Sequence, residues 1–327
     1  MHRLIGWPTF FLALIVVPPT AVNALTINTT IDSTVTSLAN SAQWISAWNY
    51  AAGQIEALYA DPITLNMTLV AGGITSLGMS NPTLAPIGTF DPAHSGYSAM
   101  RAILLADSKT VNDATAYANL PAADPTGGRF FGVTSANAKA IGILAGDDPA
   151  SDGSVVMSTT TTWTFDPNNR AVPGAHDFIG TAQHEITEVM GRIGFLGQGQ
   201  DQFGFPFDSP IDLFGYSSPG ILNLNIHQPG VYFSINGGAT SLRVYNDGTN
   251  GGDDKDWASG QNPAFDSFNA FSGTGNVFPM STVDAQSMDV MGYDLVPEPS
   301  TFALAGLGLV AMVGWGRRRG RQSMNQG

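Results

Sequence analysis

The chain has 327 residues, with 13 basic and 26 acidic side chains, a formal net charge of −13 and no cysteine. This length suffices for one large or two modest domains, and the lack of cysteine excludes a disulfide framework and a thiolate zinc site. The acidic balance argues against a nucleic-acid-binding surface, which is basic.

The first 24 residues have the order of a secretory signal peptide. A basic start at Arg3 precedes an apolar run from Phe10 to Val17 and a small-residue exit, VNA. This order predicts export, with cleavage after Ala24. A buried N-terminal strand is the alternative interpretation.

Residues 25–295 read as a single α+β domain whose second half is a loop-rich subdomain, because no internal repeat or linker interrupts them. Apolar residues recur at helical spacing in some segments and alternate in others. The patterns predict helices over 41–59, 96–107, 135–144, 178–193 and 282–295, and strands over 63–70, 153–165, 230–235 and 242–245.

The most informative segment is DFIGTAQHEITEVMGR, residues 177–192, in which Asp177 is a good N-cap for the following helix. Positions i and i+4 share a helix face, so His184 and Glu188 can bind one ion together. Glu185 points about 100° away, where it can hold a water molecule. Zinc would activate that water, and Glu185 would take its proton and pass it to the leaving amine.

The glutamate content also favours a site here. Only four glutamates occur in the chain, against 22 aspartates, and two of the four are Glu185 and Glu188. The alternative is an exposed helix turn with a solvated acid pair and a packed histidine. A sequence that avoids glutamate elsewhere makes that coincidence the weaker interpretation.

The C-terminal tail, residues 296–321, combines a Pro-Glu-Pro motif, an apolar run from Thr301 to Gly316 and a cluster of arginines. As a helix the run would span about 24 Å, slightly short of a bilayer core. This order resembles the PEP-CTERM sorting signal. The resemblance implies transient anchoring by a short transmembrane helix and cleavage by an exosortase-type enzyme; a permanent anchor is the alternative.

The helix 177–192, together with IDLFGYSSPG, VYFSINGGATSL, GGDDKDWAS and SMDVMGYDL, resembles a family of exported bacterial zincin-like metalloproteases. The resemblance covers roughly residues 45–295. It implies a zincin fold, zinc, a peptide or protein substrate, His184 and Glu188 at the metal, and Glu185 as the base. The protein would then be found at the cell surface, in the extracellular matrix or secreted.

The sequence departs from the H-E-x-x-H-x-x-G-x-x-H pattern of metzincins at the third metal ligand. The glycine of that pattern is present as Gly191, but Gly194 stands where the last histidine would be. Asp212 is the first choice for this ligand. The further candidates are His227, His176, Asp208 and Asp201. Tyr216 is a candidate oxyanion stabiliser, and Met288 or Met291 is a candidate for a methionine turn under the metal; core packing is the alternative for all three.

A second cluster lies in NDGTNGGDDKDW, with oxygen ligands at Asn246, Asp247, Asn250, Asp253, Asp254 and Asp256. Such a loop suits Ca²⁺, although its spacing is not that of an EF-hand, and a solvated turn is the alternative.

Two other functions stay open. One is a non-catalytic surface or exopolysaccharide-matrix protein with a degenerate zincin fold; the other, disfavoured by Glu185 and Glu188 sharing one helix, is a glycosidase.

Overall fold

The structure, a computed structural model, describes residues 25–85, 96–200 and 206–297. The proposed signal peptide, the candidate ligand Asp201 and the apolar C-terminal run lie outside these ranges. The helices of the described part are α1 Ser33–Thr36, α2 Ser41–Glu56, α3 Tyr97–Asp107, α4 Val111–Ala118, α5 Ser135–Ala140, α6 Phe178–Val189 and α7 Thr282–Asp289, with a 3-10 helix at Pro210–Phe214.

The strands are short apart from those of one sheet. They are β1 Thr26–Ile31, β2 Thr64–Gly72, β3 Gly78–Pro82, β4 Phe130–Phe131, β5 Gly153–Ser158, β6 Trp163–Thr164, β7 His176–Asp177, β8 Gly199–Gln200, β9 Pro206–Asp208, β10 Gly215–Ser218, β11 Ile221–Leu222, β12 Tyr232–Phe233 and β13 Arg243–Val244. Helices and several sheets in one chain confirm the predicted α+β class.

The main sheet has the strand order β1-β2-β5-β3. Strands β1, β2 and β5 are parallel, whereas β3 runs antiparallel to β5 at the edge. In β2 the alternation predicted from sequence is present, with Leu65, Met67 and Leu69 buried between threonines and an asparagine that are half-buried. The sheet thereby has one face committed to the core.

Helix α6 packs against α2, β3 and β5, which places its second turn beside the free edge of the main sheet. Trp44 and Trp48 of α2 are buried in this layer, and the ring of Trp44 contacts that of Phe178 at the start of α6. All residues of α6 except His184 are buried. The helix that carries the sequence motif is therefore a core helix.

The second half of the body has less regular structure, as predicted. Its largest sheet, in the order β11-β10-β12-β13, is built from strands of two to four residues. The other sheets are the three-stranded β4-β9-β8 and the pair β6-β7. No helix among the described residues is both long and apolar enough to cross a membrane.

Several predicted bounds need correction. Helix α5 ends at Ala140 because Gly142, with a φ of 73°, turns the chain, and α6 ends at Val189 because Gly191 has a φ of 110°. The strand predicted over 153–165 is divided into β5 and β6. Strands β1 and β3 and helix α4 were not predicted, since their polar sequences carry little apolar periodicity.

Asp177 stands at the N-cap position but makes no capping hydrogen bond. Its buried carboxylate instead accepts hydrogen bonds from the guanidinium of Arg170 at 2.6 Å and from the backbone N–H of Phe278 at 2.9 Å. Asp177 therefore ties the start of α6 to the loop that precedes it and to the distant loop around Phe278.

Candidate metal centre

His184 is held in a defined orientation on α6. Its Nδ1 lies 2.7 Å from the carbonyl oxygen of Ser267. A carbonyl only accepts, so Nδ1 donates and Nε2 is the nitrogen left to face another group. That nitrogen lies 3.3 Å from Oε1 of Glu188, one turn further along the helix. The i, i+4 pairing predicted from the sequence is thus present in the structure.

A second acidic side chain reaches the same nitrogen from a distant loop. Oδ1 of Asp256 lies 3.6 Å from Nε2 of His184. Glu188 is fixed from the opposite side by the hydroxyl of Ser80 on strand β3, which donates to its Oε2 at 2.8 Å. Helix, edge strand and distant loop therefore meet at one imidazole.

The described residues contain two groups of possible ligands whose donor atoms lie within 4.8 Å of one another. One consists of His184, Glu185 and Glu188, and the other of Glu188, Asp253 and Asp256. Glu188 belongs to both. The sequence-predicted pair is joined here by Asp253 and Asp256 of the candidate calcium loop.

A buried arginine neutralises part of this acidity. Arg192 is 1 % exposed, and its Nη1 donates to Oδ1 of Asp256 at 2.6 Å, while its Nη2 lies 3.6 Å from Oε1 of Glu188. The guanidinium also lies over the ring of Phe268, 4.1 Å from the centroid. Arg192 therefore holds Asp256 and Glu188 on the same side of His184.

Glu185 faces strand β3. A methyl group added at Gly78 would collide with the Glu185 carboxylate, so this strand approaches the side chain as closely as glycine permits. The carboxyl group is buried yet lines a cavity that reaches the protein surface. Glu185 thus lies between the edge strand and the ligand cluster.

Burial and mutual charge set the protonation of the cluster. Burial disfavours the imidazolium, but the carboxylates of Asp256 and Glu188 outweigh it and raise the pKa of His184 to about 10. Burial also opposes ionisation of Glu188, yet the positive charges of His184 and Arg192 lower its pKa to about 2. For Glu185, burial and the charge of Glu188 act together and raise the pKa well above its usual value.

The cavity beside the cluster has a volume of about 360 Å³. One wall is the segment from Thr75 to Gly78 that leads into β3, another is α6, and a third is formed by the loops around Gly252 and Phe271. His184, Glu185, Asp253 and Asp256 all line it. The potential ligands are therefore accessible to a molecule larger than water.

Asp212 is placed elsewhere. It is completely buried in the 3-10 helix, where its Oδ2 accepts from the N–H groups of Phe195, Leu196 and Ser209 at 2.8 to 3.1 Å. Its Oδ1 faces Nζ of Lys255 at 3.5 Å. Neither group of possible ligands among the described residues includes Asp212. The patterned segment IDLFGY therefore reflects a capping box rather than proximity to His184.

Gly194 explains how Asp256 reaches the cluster. A side chain at Gly194 would collide with Lys255, and it would come within 3.0 Å of Asp212. The space that a residue at this position would fill is occupied by Lys255, whose ammonium lies between Asp212 and the ring of Tyr245. The next residue along the chain is Asp256, which is thereby directed towards His184.

The remaining sequence candidates are also apart from the cluster. Tyr216 is buried in β10, its ring stands over Gly238, and it does not line the cavity. Asp208 pairs with Arg129 at 3.0 Å, and His227 lies 3.7 Å from Asp254. The other three have no described contact with the cluster: His176 starts the strand pair with β6, and Met288 and Met291 are fully buried in the core.

The segment predicted as a calcium loop is divided between two roles. Asp247 closes a turn by accepting from the N–H and hydroxyl of Thr249, and Asn246 and Asn250 bond to each other. Asp253 and Asp256 instead face Glu188. The loop therefore brings its oxygens to the helix rather than gathering them around a centre of its own.

Comparison with known proteins finds one match. Residues 295–319 match the model of the PEP-CTERM protein-sorting motif. No curated protein and no solved structure gives a significant match. The motif supports an exported protein that is sorted to the cell surface and processed by an exosortase-type enzyme. It covers only the C-terminal end and does not bear on the chemistry of the body.

Proposed function

We propose that the protein is an exported zinc-dependent metallopeptidase with a zincin-like fold. The observation that carries the proposal is the convergence at His184 Nε2 of the carboxylates of Glu188, at 3.3 Å, and Asp256, at 3.6 Å, where His184 and Asp256 line an open cavity. His184 and Glu188 are the ligands expected from the sequence. Asp256 takes the place of Asp212 as the third.

The distances of the two carboxylates from Nε2 of His184 fit zinc. Ligands about 2.1 Å from an ion in tetrahedral geometry lie about 3.4 Å from one another. The two distances from Nε2, 3.3 and 3.6 Å, bracket that value. The Nδ1 hydrogen bond to Ser267 is the kind of contact that fixes the orientation of a ligating imidazole.

The charge of the cluster also calls for a cation. The carboxylates of Glu188 and Asp256 raise the pKa of His184 to about 10, so a proton occupies Nε2. A divalent ion in place of that proton would neutralise the same two carboxylates more fully, because it carries a larger positive charge. Arg192 adds a positive charge behind Asp256, which offsets the acidity of a carboxylate where many zinc sites use histidine.

When bound, zinc would polarise a carbonyl and lower the pKa of a coordinated water towards ~7. The protein's own groups supply the proton transfers. Glu185 faces the cavity beside His184, and the positive charge of the ion would favour its ionised form, so it is placed to accept a proton from the attacking water and deliver it to the leaving nitrogen. Gly78 leaves room for that carboxylate against β3.

The substrate inferred for this site is an extended peptide. Strand β3 is the edge strand of the main sheet, and the chain leading into it forms one wall of the cavity. An edge strand offers unpaired backbone groups to which a peptide can add as a further strand. A peptide bound there would pass directly over Glu185 and the proposed ligands.

Glu185→Gln tests the proposal. The amide keeps the size of the side chain but cannot accept the proton, so we expect cleavage of an unfolded protein substrate to fall about a thousandfold, within the range for general bases. Zinc content should stay at one ion per chain, because Glu185 is not among the three ligands. Zinc-loaded wild type that cleaves no peptide would exclude the peptidase.

One observation favours a second candidate, a surface protein that has kept the fold without catalysis. Arg192 already contacts Asp256 and Glu188, and with a protonated His184 it forms an ion network that is balanced without metal. Under this alternative the purified protein binds no zinc. Zinc content together with peptide cleavage therefore decides between the two.

The N-terminal signal peptide and a short apolar C-terminal helix complete the proposed route. The signal peptide would direct export, and the helix would hold the protein at the membrane until the sorting motif is cut. Both lie in residues that the structure does not describe. Their test is the mass of the mature protein recovered from the medium, which should begin near Leu25 and end near Pro297.

A further inference from the structure

The charges that line the cavity all have one sign apart from His184. Glu185, Asp253 and Asp256 contribute carboxylates, and no lysine or arginine is among the lining residues that the structure describes. The nearest cations, Arg192 and Lys255, are fully buried behind the cluster and already engaged by other carboxylates. A substrate therefore meets an acidic surface.

Asp253 differs from the other acids of its loop. Asp247 accepts from Thr249, Asp254 accepts from the N–H of His227, and Asp256 accepts from Arg192. The side chain of Asp253 makes no hydrogen bond or ion pair with any described residue, and it is exposed at the cavity wall. Its carboxylate is therefore free for a ligand.

The position of Asp253 relates it to the reacting bond. One of its oxygens lies within 4.8 Å of oxygens of both Glu188 and Asp256. A positively charged group of the substrate that binds Asp253 would consequently lie about one side-chain length from the bond that is cleaved. Zinc and Arg192 together carry three positive charges, which the ionised Glu185, Glu188 and Asp256 balance, so the charge of Asp253 would remain uncompensated in the loaded site.

We propose that the site selects peptides with a positive charge next to the cleaved bond, and that Asp253 is the residue that recognises this charge. This inference rests on the proposed peptidase function. The charge belongs either to a lysine or arginine side chain or to a free amino terminus. The acidic body of the protein supports the same preference, because it attracts basic chains and repels acidic ones.

The first experiment maps cleavage sites. Zinc-loaded protein is incubated with a mixture of unfolded proteins, and the products are sequenced by mass spectrometry. We expect lysine and arginine to be enriched and aspartate and glutamate depleted beside the cut, by roughly tenfold for one partly solvated charge pair. Matched peptides with free and acetylated amino termini distinguish the two sources of charge.

Asp253→Asn should abolish the enrichment without loss of zinc, and added salt should weaken it in the wild type. Asp247→Asn is the matched control, because it removes the same charge from the same loop outside the cavity. Cleavage without charge preference, or an Asp253→Asn protein that loses its zinc, would overturn the proposal. The latter result would make Asp253 a metal ligand.

Peptide binding separates this inference from the peptidase function. The zinc-loaded Glu185→Gln protein is titrated with fluorescent peptides that differ only in a central lysine, glutamine or glutamate. If the lysine peptide binds preferentially but the wild type cleaves no peptide, the proposal of charge recognition stands and the proposal of a peptidase is wrong. If all three peptides bind equally, the proposal of charge recognition is wrong even if the wild type cleaves peptides.

Discussion

Oδ1 of Asp256 lies 3.6 Å from Nε2 of His184, although the two residues are far apart in the sequence. Arg192 donates to the same oxygen at 2.6 Å, and Lys255 anchors the preceding position against Asp212. The candidate site is therefore assembled by a buried charge network. Within it, residues that would hold a metal are distinct from residues that hold the network.

Asp256→Asn should reduce zinc affinity by at least tenfold, because the amide is a poorer ligand for zinc than the carboxylate. Competition with a chromogenic chelator measures this change. The matched variant is Asp212→Asn, which alters the acid favoured by the sequence but not facing His184. If Asp212→Asn loses zinc while Asp256→Asn keeps it, the assignment of the third ligand is wrong.

Asp212→Ala should act on stability. It removes an acceptor shared by three backbone N–H groups and leaves Lys255 without its carboxylate. The expected loss is about 3 kcal/mol, typical of breaking a buried pair. Chemical denaturation measures it. A variant as stable as the wild type would show that the capping network contributes little.

The helix of the site can be predicted from the sequence because its apolar spacing and its motif are local. His184 and Glu188 are one turn apart, and a period of 3.6 residues is enough to place them on one face. The choice of Asp212 was different, since it relied on the distinctness of IDLFGY. That pattern serves the Ser209 capping box, in which a buried acid satisfies neighbouring N–H groups.

Asp256 could not be identified from sequence for a physical reason. Its approach to His184 depends on the packing of Lys255 into the space above Gly194, and this is a contact between distant segments. The available signals were the glycine in place of a histidine and the acidic loop. Taken separately, Gly194 suggests a lost metal ligand and the acidic loop suggests a calcium site. Only the fold shows that the loop lies beside Gly194.

Gly78→Ala should impair catalysis more than binding of metal. The added methyl group would displace the Glu185 carboxylate, which is the flexible end of a side chain and can move without unfolding the protein. A shift of this kind costs about a hundredfold in turnover. Zinc content and the thermal midpoint should change little. Gly73→Ala is the control, since no atom lies within 4 Å of its added carbon.

Arg192→Met should destabilise the protein by about 3 to 5 kcal/mol, because it leaves the buried carboxylates of Asp256 and Glu188 without their cation. Denaturation in zinc-free buffer measures the loss. Arg192→Lys should recover part of it, since lysine restores the charge without the paired donors. Equal stability of both variants and the wild type would contradict the network.

Stability should also fall as the pH rises above about 5. Burial, with the nearby charge of Asp294, raises the pKa of Asp61 to about 8. A carboxyl whose folded pKa exceeds its unfolded value of 3.8 stabilises the fold at low pH and loses that contribution as the pH rises through 8. Thermal melts between pH 5 and 9 should show a falling midpoint.

Asp61→Asn should make this profile shallower, because the amide keeps an acceptor for the N–H of Asp294 but does not titrate. Asp32→Asn should leave it unchanged, since the hydrogen bonds that Asp32 accepts from Thr34 lower its pKa instead. An Asp61→Asn protein with the wild-type slope would assign the pH dependence to other groups.

The measurement that tests the central claim most directly is the zinc content of the purified protein, wild type beside His184→Ala, after zinc loading and dialysis. We predict one zinc per wild-type chain and none in the variant, with both proteins folded by circular dichroism. A folded wild type that retains no zinc would contradict the metallopeptidase and leave an exported protein whose helix motif is held by hydrogen bonds and ion pairs without metal.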